Sequence, residues 1–319
     1  MSAHQNTVLA ITVACLAGGS DTIHAATYSF GSGASTFLMD FVDVGHAGNA
    51  ADTTGAPNPA GSVTYAYRMG RYEVSRDMIN KANAAGGLAI SLADMTTFGG
   101  NGPARPATGV SWIEAARFVN WLNTSSGHQP AYNIVAGSFG LWTSGEAWML
   151  GGQNLFRHKD AVFFLPSESE WYKAAYYDPS AATYRDYPTG SDTAPSAVTG
   201  GTTAGTAVFG YPGSQGPADI MNAGGASPYG TVGQGGNVWE WHESALDGVN
   251  DSATELRELR GAGWRDPVSD LASAALHSGD PTLENSFIGF RVASVPEPIE
   301  SAAVAGFAMA GFALWRRRA

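Results

Sequence analysis

The residues of this chain whose types and spacing could support chemistry lie in one stretch, residues 235–241, with the sequence GGNVWEW. Its two glycines predict a tight turn, because glycine adopts positive φ without strain. The extended segment that follows places Trp239 and Trp241 on one face and Glu240 on the other. A carboxylate between two indoles is either a ligand or a buried group that is hydrogen-bonded within the core. Both interpretations stay open at this point.

Histidines offer a second set of candidate ligands. None of them has another histidine four residues away, which is the spacing that places two ligands on one helix face. A site that combines His242 and His277 with a carboxylate such as Glu240, Glu243 or Asp280 is conceivable across the fold and leaves iron open as a cofactor. The alternative is that His242 borders the tryptophan block as a structural residue.

The composition predicts a loop-rich domain that is held together by aromatic packing. The chain has 319 residues, of which 41 are glycine and 14% are charged, against a usual charged fraction of ~25%. Its formal net charge is −11, and no basic patch precedes the last few residues. Nucleic acid is therefore not expected as a partner.

The N-terminal residues 1–25 are predicted to be a signal peptide. Residues 8–19 form a short apolar run, and Ala25 supplies the small residue at which signal peptidase would cut. The alternative is a ragged N-terminus on a cytosolic fold. The single cysteine, Cys15, lies inside this segment. The mature chain would then have no disulfide, thiolate metal site or thiol nucleophile.

The C-terminal residues 295–319 have three parts. A proline-rich motif is followed by an apolar run, residues 301–315, and by a basic end. The motif and the basic end are Val295, Pro296, Glu297 and Pro298, and Arg316, Arg317 and Arg318. The run would extend roughly 22 Å as a helix at ~1.5 Å per residue, which is marginal for a bilayer core of ~30 Å. The arginines would keep its end in the cytoplasm.

This tail resembles the PEP-CTERM sorting signal of Gram-negative bacteria. The resemblance implies recognition by an exosortase, a transient membrane anchor formed by the transmembrane helix, removal of the tail, and delivery to the cell surface or the exopolysaccharide matrix. A plain membrane anchor is the alternative.

Three short helices are predicted from their starting residues. Ser75 can cap a helix over residues 76–84 that stops at the following glycine pair. The pairs Ser111 with Glu114 and Ser167 with Glu170 are capping boxes. Strands are predicted within residues 62–74, 161–165, 256–264 and 287–294 from their apolar and alternating patterns.

Six segments occur in a characteristic order along the chain: YRMGRYEVS, RPATGVSWIEAARFVNWLN, LPSESEWYKAA, GGNVWEW, LRGAGW and GFRVAS. In this order they resemble the formylglycine-generating enzyme (sulfatase-modifying factor) family over residues 62–294. The resemblance implies one α+β domain of the C-type-lectin-like class, with an irregular antiparallel sheet, short capped helices and many loops. Residues 26–61 would form an N-terminal extension.

The chain departs from the oxidases of that family at their copper site. These oxidases convert a cysteine of a sulfatase to formylglycine with copper held by two cysteines, which would fall within residues 265–278. That segment contains no cysteine, and copper(I) prefers thiolate ligands. Copper is therefore not expected, no catalytic residue is assigned, and whether the protein is an enzyme is left open.

The resemblance also implies a calcium site. Its ligands would be the carbonyl groups of Gly236 and Val238 and the side chain of Glu240, in keeping with the preference of calcium for oxygen. The acidic or amide residue that the family places three positions before Gly236 is Gly233 here. The alternative is that Glu240 accepts hydrogen bonds from backbone amides in the core.

Four further residues form a candidate ligand groove: Asn237, His242, Arg260 and Arg291. The alternative for the two arginines is that they fix loops through bidentate bonds. The sequence thus predicts an exported surface or matrix protein with a binding role, with exopolysaccharide or surface glycan as partner, or with a structural role. The rival is an extracytoplasmic oxidoreductase or protein-modifying enzyme that uses non-thiol metal ligands.

Overall fold

The structure is a computed structural model that describes residues 25–295. Residues 1–24 of the predicted signal peptide and residues 296–319 of the predicted sorting tail lie outside the described residues, so both stay predictions. Within residues 25–295, no helix combines the length and apolar character that crossing a membrane requires.

Three α-helices form where the capping signals predict them. They are α1 Arg76–Gly86, α2 Trp112–Ser125 and α3 Glu168–Tyr176. At the start of α2, the Ser111 hydroxyl accepts a hydrogen bond from the amide of Glu114 (3.3 Å), and the Glu114 carboxylate accepts one from the amide of Ser111 (3.0 Å). Ser167 and Glu170 form the same reciprocal pair at α3. Both predicted capping boxes are confirmed.

Short 3₁₀ helices and many short strands make up the rest of the regular structure. The 3₁₀ helices are Gly33–Ser35, Gly213–Gln215, Ile220–Asn222 and Val268–Leu271. The strands are β1 Ala25–Phe30, β2 Phe37–Val44, β3 Tyr67–Gly70, β4 Asn133–Val135, β5 Ser138–Gly140, β6 Ala147–Trp148, β7 Asn154–His158, β8 Phe163–Phe164, β9 Tyr177–Asp178, β10 Thr183–Tyr184, β11 Ser196–Ala197, β12 Thr206–Ala207, β13 Trp239–Ala245, β14 Arg257–Arg260, β15 His277–Gly279, β16 Ile288–Gly289 and β17 Ala293–Ser294.

The largest sheet has five antiparallel strands in the order β1-β2-β3-β17-β8. Its first two strands lie in residues 26–61, apart from Ala25, and this is the segment predicted to form an N-terminal extension. In β2, Phe37, Met39 and Phe41 are buried whereas Leu38 is exposed. This alternation is what a half-buried strand requires, so the segment belongs to the folded domain.

A second sheet of four strands, in the order β15-β14-β13-β16, carries the GGNVWEW stretch. Strand β13 pairs antiparallel with β14, where Glu240 lies opposite Arg260, and parallel with β16, where Trp239 lies opposite Ile288. The turn before β13 has Gly236 at φ 86° and Asn237 at φ 67°, as expected for glycine and for an asparagine in the left-handed region.

The last predicted strand, residues 287–294, is two strands in two different sheets. Strand β16 pairs with β13 in the second sheet, and β17 pairs with β3 and β8 in the first. At the end of β16 the chain passes close to other backbone, since a Cβ at Gly289 would lie 2.7 Å from the carbonyl oxygen of Ala107. The prediction of one continuous strand was therefore wrong, because the chain crosses between the sheets here.

The architecture confirms the predicted α+β fold class, with an irregular, mainly antiparallel sheet, short capped helices and many loops. The main core lies between the five-stranded sheet, α2 and α3 and includes Phe41, Trp112 and Trp171. Charged groups also lie inside the protein, and these define the site described next.

Candidate functional site

The two faces of strand β13 have different chemistry. Trp239 lies against the ring of His277, with ring centroids 4.5 Å apart, and Trp241 packs against Gly279 on the same edge strand. Glu240 points to the other face, where the indole Nε1 of Trp171 on α3 donates to its Oε2 (2.6 Å). The predicted alternation of the tryptophans and Glu240 is confirmed.

The tryptophan face of the sheet carries an open pocket of about 170 Å³. Its lining residues are Trp239, Leu259, His277, Ser278, Leu283, Asn285, Phe287 and Ile288. The indole of Trp239 is fixed because its Nε1 donates to Asp266 Oδ2 (2.7 Å). His277 and Leu283 are exposed at the rim. The pocket thus combines aromatic walls with a small number of polar groups on a rigid sheet.

On the opposite face, Glu240 forms a buried ion pair with Arg291. Arg291 Nη2 lies 2.5 Å from Glu240 Oε1, and its Nε lies 2.6 Å from Oε2. The same guanidinium donates to the carbonyl oxygens of Gly70 and Val232 (both 3.0 Å). Both carboxylate oxygens are therefore already bound to donors, and a cation already lies beside them.

These contacts bear on the calcium prediction at Gly236, Val238 and Glu240. Calcium takes six to eight oxygen ligands, whereas both oxygens of Glu240 accept hydrogen bonds from Arg291 or Trp171, and the guanidinium places a positive charge beside them. This arrangement does not fit calcium at the Glu240 side chain. Calcium binding there stays a prediction.

A second carboxyl group, Glu73, lies close to this pair. Asn237 Nδ2 donates to Glu73 Oε2 (2.7 Å). Burial, together with the nearby negative charge of Glu240, raises the pKa of Glu73 well above its usual range. Gly233, at φ 81°, lets the backbone pass this carboxyl, because a Cβ there would lie 3.1 Å from its oxygen. Sequence reasoning did not identify Glu73.

A further buried cluster lies under α3 and joins Glu168 to Arg260, His242 and Glu258. Arg260 Nε donates to both oxygens of Glu168 (2.8 and 3.0 Å), and His242 Nδ1 lies 2.9 Å from Glu168 Oε2. Burial would raise the pKa of Glu168, but Arg260 and His242 hold it below its usual value. Burial and the charge of Glu168 raise the pKa of Glu258 to about 9.

A third buried cluster has Arg157 between two carboxylates. Arg157 donates to both oxygens of Glu170 (3.0 and 2.9 Å) and, through Nη2, to Glu243 (2.8 Å). Tyr132 and Asn154 also donate to Glu243. Burial opposes charge on both carboxyls; Arg157 holds the pKa of Glu170 below its usual value, whereas the pKa of Glu243 is raised.

The predicted groove residues are all fully buried and lie in two clusters. His242 and Arg260 meet at Glu168, whereas Asn237 bonds to Glu73 and Arg291 to Glu240. None of the four lines an open surface. A ligand groove formed by these residues stays a prediction.

The histidine site is also dispersed. His277 lies on the tryptophan face of the sheet, opposite to His242. Glu243 binds Arg157, and Asp280 is exposed and accepts a hydrogen bond from Thr282. The structure instead brings His242 to Glu168 and Glu258.

Fold and site together define a C-type-lectin-like domain. Its charged motif residues form ion pairs with one another in the interior. The pocket at Trp239, by contrast, is open and is lined by aromatic and polar side chains. The sequence matches the family described as the sulfatase-modifying factor enzyme 1-like domain over residues 34–295. Because this match spans most of the chain, the chain belongs to that family.

Solved structures share this fold. Treponema denticola variable protein 1 is 21% identical with a TM-score of 0.61, and the match covers 86% of this chain and 100% of that one. CarF is 21% identical, with a TM-score of 0.59 and coverage of 81% and 99%. PvdO from Pseudomonas aeruginosa is 15% identical, with a TM-score of 0.53 and coverage of 84% and 98%. These likenesses show the fold alone.

A curated relative is the serine/threonine-protein kinase pkn1 of Chlamydia caviae, which is 32% identical over 142 residues. The match covers 40% of this chain but only 20% of the kinase. The similarity therefore spans a fifth of that protein.

Proposed function

We propose that the domain is a binding module of an exported surface or matrix protein, and that it binds a glycan through the pocket at Trp239. The observation that carries this proposal is the pocket itself, with its fixed indole, the Phe287 ring and the polar residues His277, Ser278 and Asn285.

The size of the pocket favours a small group. Pockets for drug-sized ligands enclose roughly 300–1,000 Å³, whereas this pocket encloses about 170 Å³. A single sugar ring at the end of a larger glycan suits such a volume. Aromatic rings provide flat apolar contact area, and the polar groups at the rim can bond to hydroxyls.

The predicted export of the chain favours a glycan as the partner. The predicted signal peptide and PEP-CTERM-like tail would bring the domain to the cell surface or the exopolysaccharide matrix through signal peptidase and exosortase. The rival function, an oxidoreductase or protein-modifying enzyme with non-thiol metal ligands, needs a metal site that a substrate can reach. The histidine cluster among residues 25–295 is buried under α3, which favours binding over catalysis.

Glycan-array screening of the purified chain, followed by calorimetry with the glycan that binds, tests this function. His277→Ala and Leu283→Ala alter the exposed rim, and we expect each to weaken binding about tenfold, or about 1.4 kcal/mol. Leu246→Ala is the matched control, because Leu246 is similarly exposed (42% against 39% for Leu283) and does not line the pocket. Absence of glycan binding, or equal binding by all three variants, would contradict the proposal.

A further inference from the structure

Three side chains converge beneath α3 without being fully satisfied by the protein. One ligand atom each of Glu168, His242 and Glu258 lies within 4.8 Å of the others, and all three residues are buried. They come from the first turn of α3 and from the adjacent strands β13 and β14. The register of β13 against β14 shifts between Trp241 and Ala245, as in a β-bulge, which changes the direction of a side chain.

Several polar atoms in this cluster lack hydrogen-bond partners among the described residues. Nε2 of His242 makes no hydrogen bond, and Oε2 of Glu258 makes none. Nδ1 of His242 lies 2.9 Å from Oε2 of Glu168. His242 is 0% and Glu258 2% exposed. Buried polar groups are almost always satisfied, so the unpartnered atoms of His242 and Glu258 within one buried cluster indicate a missing ligand.

The donor atoms indicate that the missing ligand is a metal cation. Arg260 pairs with Glu168, but Glu258 has no ion-pair partner among the described residues. An imidazole nitrogen and carboxylate oxygens are ligands that zinc and related divalent metals accept. Calcium prefers six to eight oxygens, and copper(I) prefers thiolates, so neither matches this donor set.

We propose that Glu168, His242 and Glu258 bind a divalent transition-metal ion between α3 and the β13–β14 pair. Because the residues are buried, the ion is structural and joins the helix to the sheet. Its ligands differ from the sequence-based histidine site, since His277 lies on the other face and the carboxylates are Glu168 and Glu258.

Metal titration of chelator-stripped protein tests the proposal, with zinc and manganese as the probes. We expect one equivalent of zinc by mass spectrometry and a metal-dependent rise in the melting temperature. Cobalt substitution gives visible absorption bands whose intensity reports the coordination geometry of the bound ion. Glu258→Gln removes one anionic ligand and should weaken zinc binding at least tenfold.

Glu284→Gln is the matched control, because Glu284 is an exposed carboxylate outside the cluster. We expect it to bind zinc as the unchanged chain does. Glu258→Gln removes no ion pair, so without metal it should fold and melt at least as well as the unchanged chain, as circular dichroism would show. Absence of stoichiometric binding by the unchanged chain would overturn the proposal, as would equal zinc binding by the two variants.

Discussion

Arg291 and Glu240 form a bidentate ion pair at the point where the chain passes from one sheet to the other, with N–O distances of 2.5 and 2.6 Å. Both side chains are fully buried. Arg291 also donates to the carbonyl oxygen of Gly70 in β3 and to that of Val232 in the loop before β13. One guanidinium therefore holds a strand, a loop and a turn together.

Removing this guanidinium should strongly destabilise the fold. Arg291→Met leaves the Glu240 carboxylate buried without a cation, and breaking a buried pair in this way costs about 3–5 kcal/mol. Urea unfolding measures the change. Arg185→Gln is the control: its ion pairs with Asp178 and Asp192 are partly exposed, so its loss should cost less than about 1 kcal/mol. Equal effects of the two changes would contradict the buried pair's role.

Calcium addition provides a separate test of Glu240. Since Arg291 and Trp171 already donate to both carboxylate oxygens, we expect excess calcium added to chelator-stripped protein to change the melting temperature by less than about 2 °C, which corresponds to no more than about 1 kcal/mol for a domain of this size. A rise of many degrees that Glu240→Gln abolishes would show that calcium binds at the sequence-predicted ligands.

The capping boxes should contribute to stability independently of the buried charges. Ser111→Ala and Ser167→Ala each remove a side-chain acceptor for the first turn of a helix, and such losses cost about 1 kcal/mol. Chemical unfolding of each variant gives the value. Ser125→Ala, at an exposed position in the last turn of α2, should change stability by less than about 0.5 kcal/mol.

Lys173 should make a contribution to the free energy of unfolding that rises with pH between about 8 and 10.5. Its Nζ donates to the carbonyl oxygen of His46 (2.9 Å), and burial lowers its pKa from 10.5 to about 8. Between these two values the unfolded chain binds more protons than the folded chain, so the free energy of unfolding increases with pH.

Lys173→Met removes this dependence and is expected to raise the free energy of unfolding at pH 7, where the buried ammonium is charged. Its advantage over the unchanged chain should shrink by roughly 1–3 kcal/mol between pH 7 and pH 10.5. Parallel unfolding curves at several pH values measure this difference. A constant difference between the two proteins would mean that Lys173 keeps its ordinary pKa.

Features that depend on neighbouring residues were predictable from the sequence. The capping serines, the glycine stop at α1 and the alternation around Glu240 are set by contacts within a few residues. The first hairpin was missed although β2 carries a usable signal. Phe37, Met39 and Phe41 alternate with more polar or exposed positions, but the glycine-rich and alanine-rich surroundings concealed them.

The buried charges were not predictable, because their partners are distant in sequence. Arg157 lies outside the helices and strands that the sequence predicts, and charged residues are usually exposed. Its partners are Glu170, 13 residues away, and Glu243, 86 residues away. Only tertiary packing brings them together. The same holds for Glu258, whose surroundings come from α3 and β13.

The position of β17 has a consequence for how the chain reaches its native state. This strand is interior to the five-stranded sheet, where it joins β3 to β8, yet its residues, Ala293–Ser294, come at the end of the described chain. The sheet cannot close until those residues have left the ribosome. Because such distant pairings form slowly, closure of the five-stranded sheet is expected to be a late step in folding.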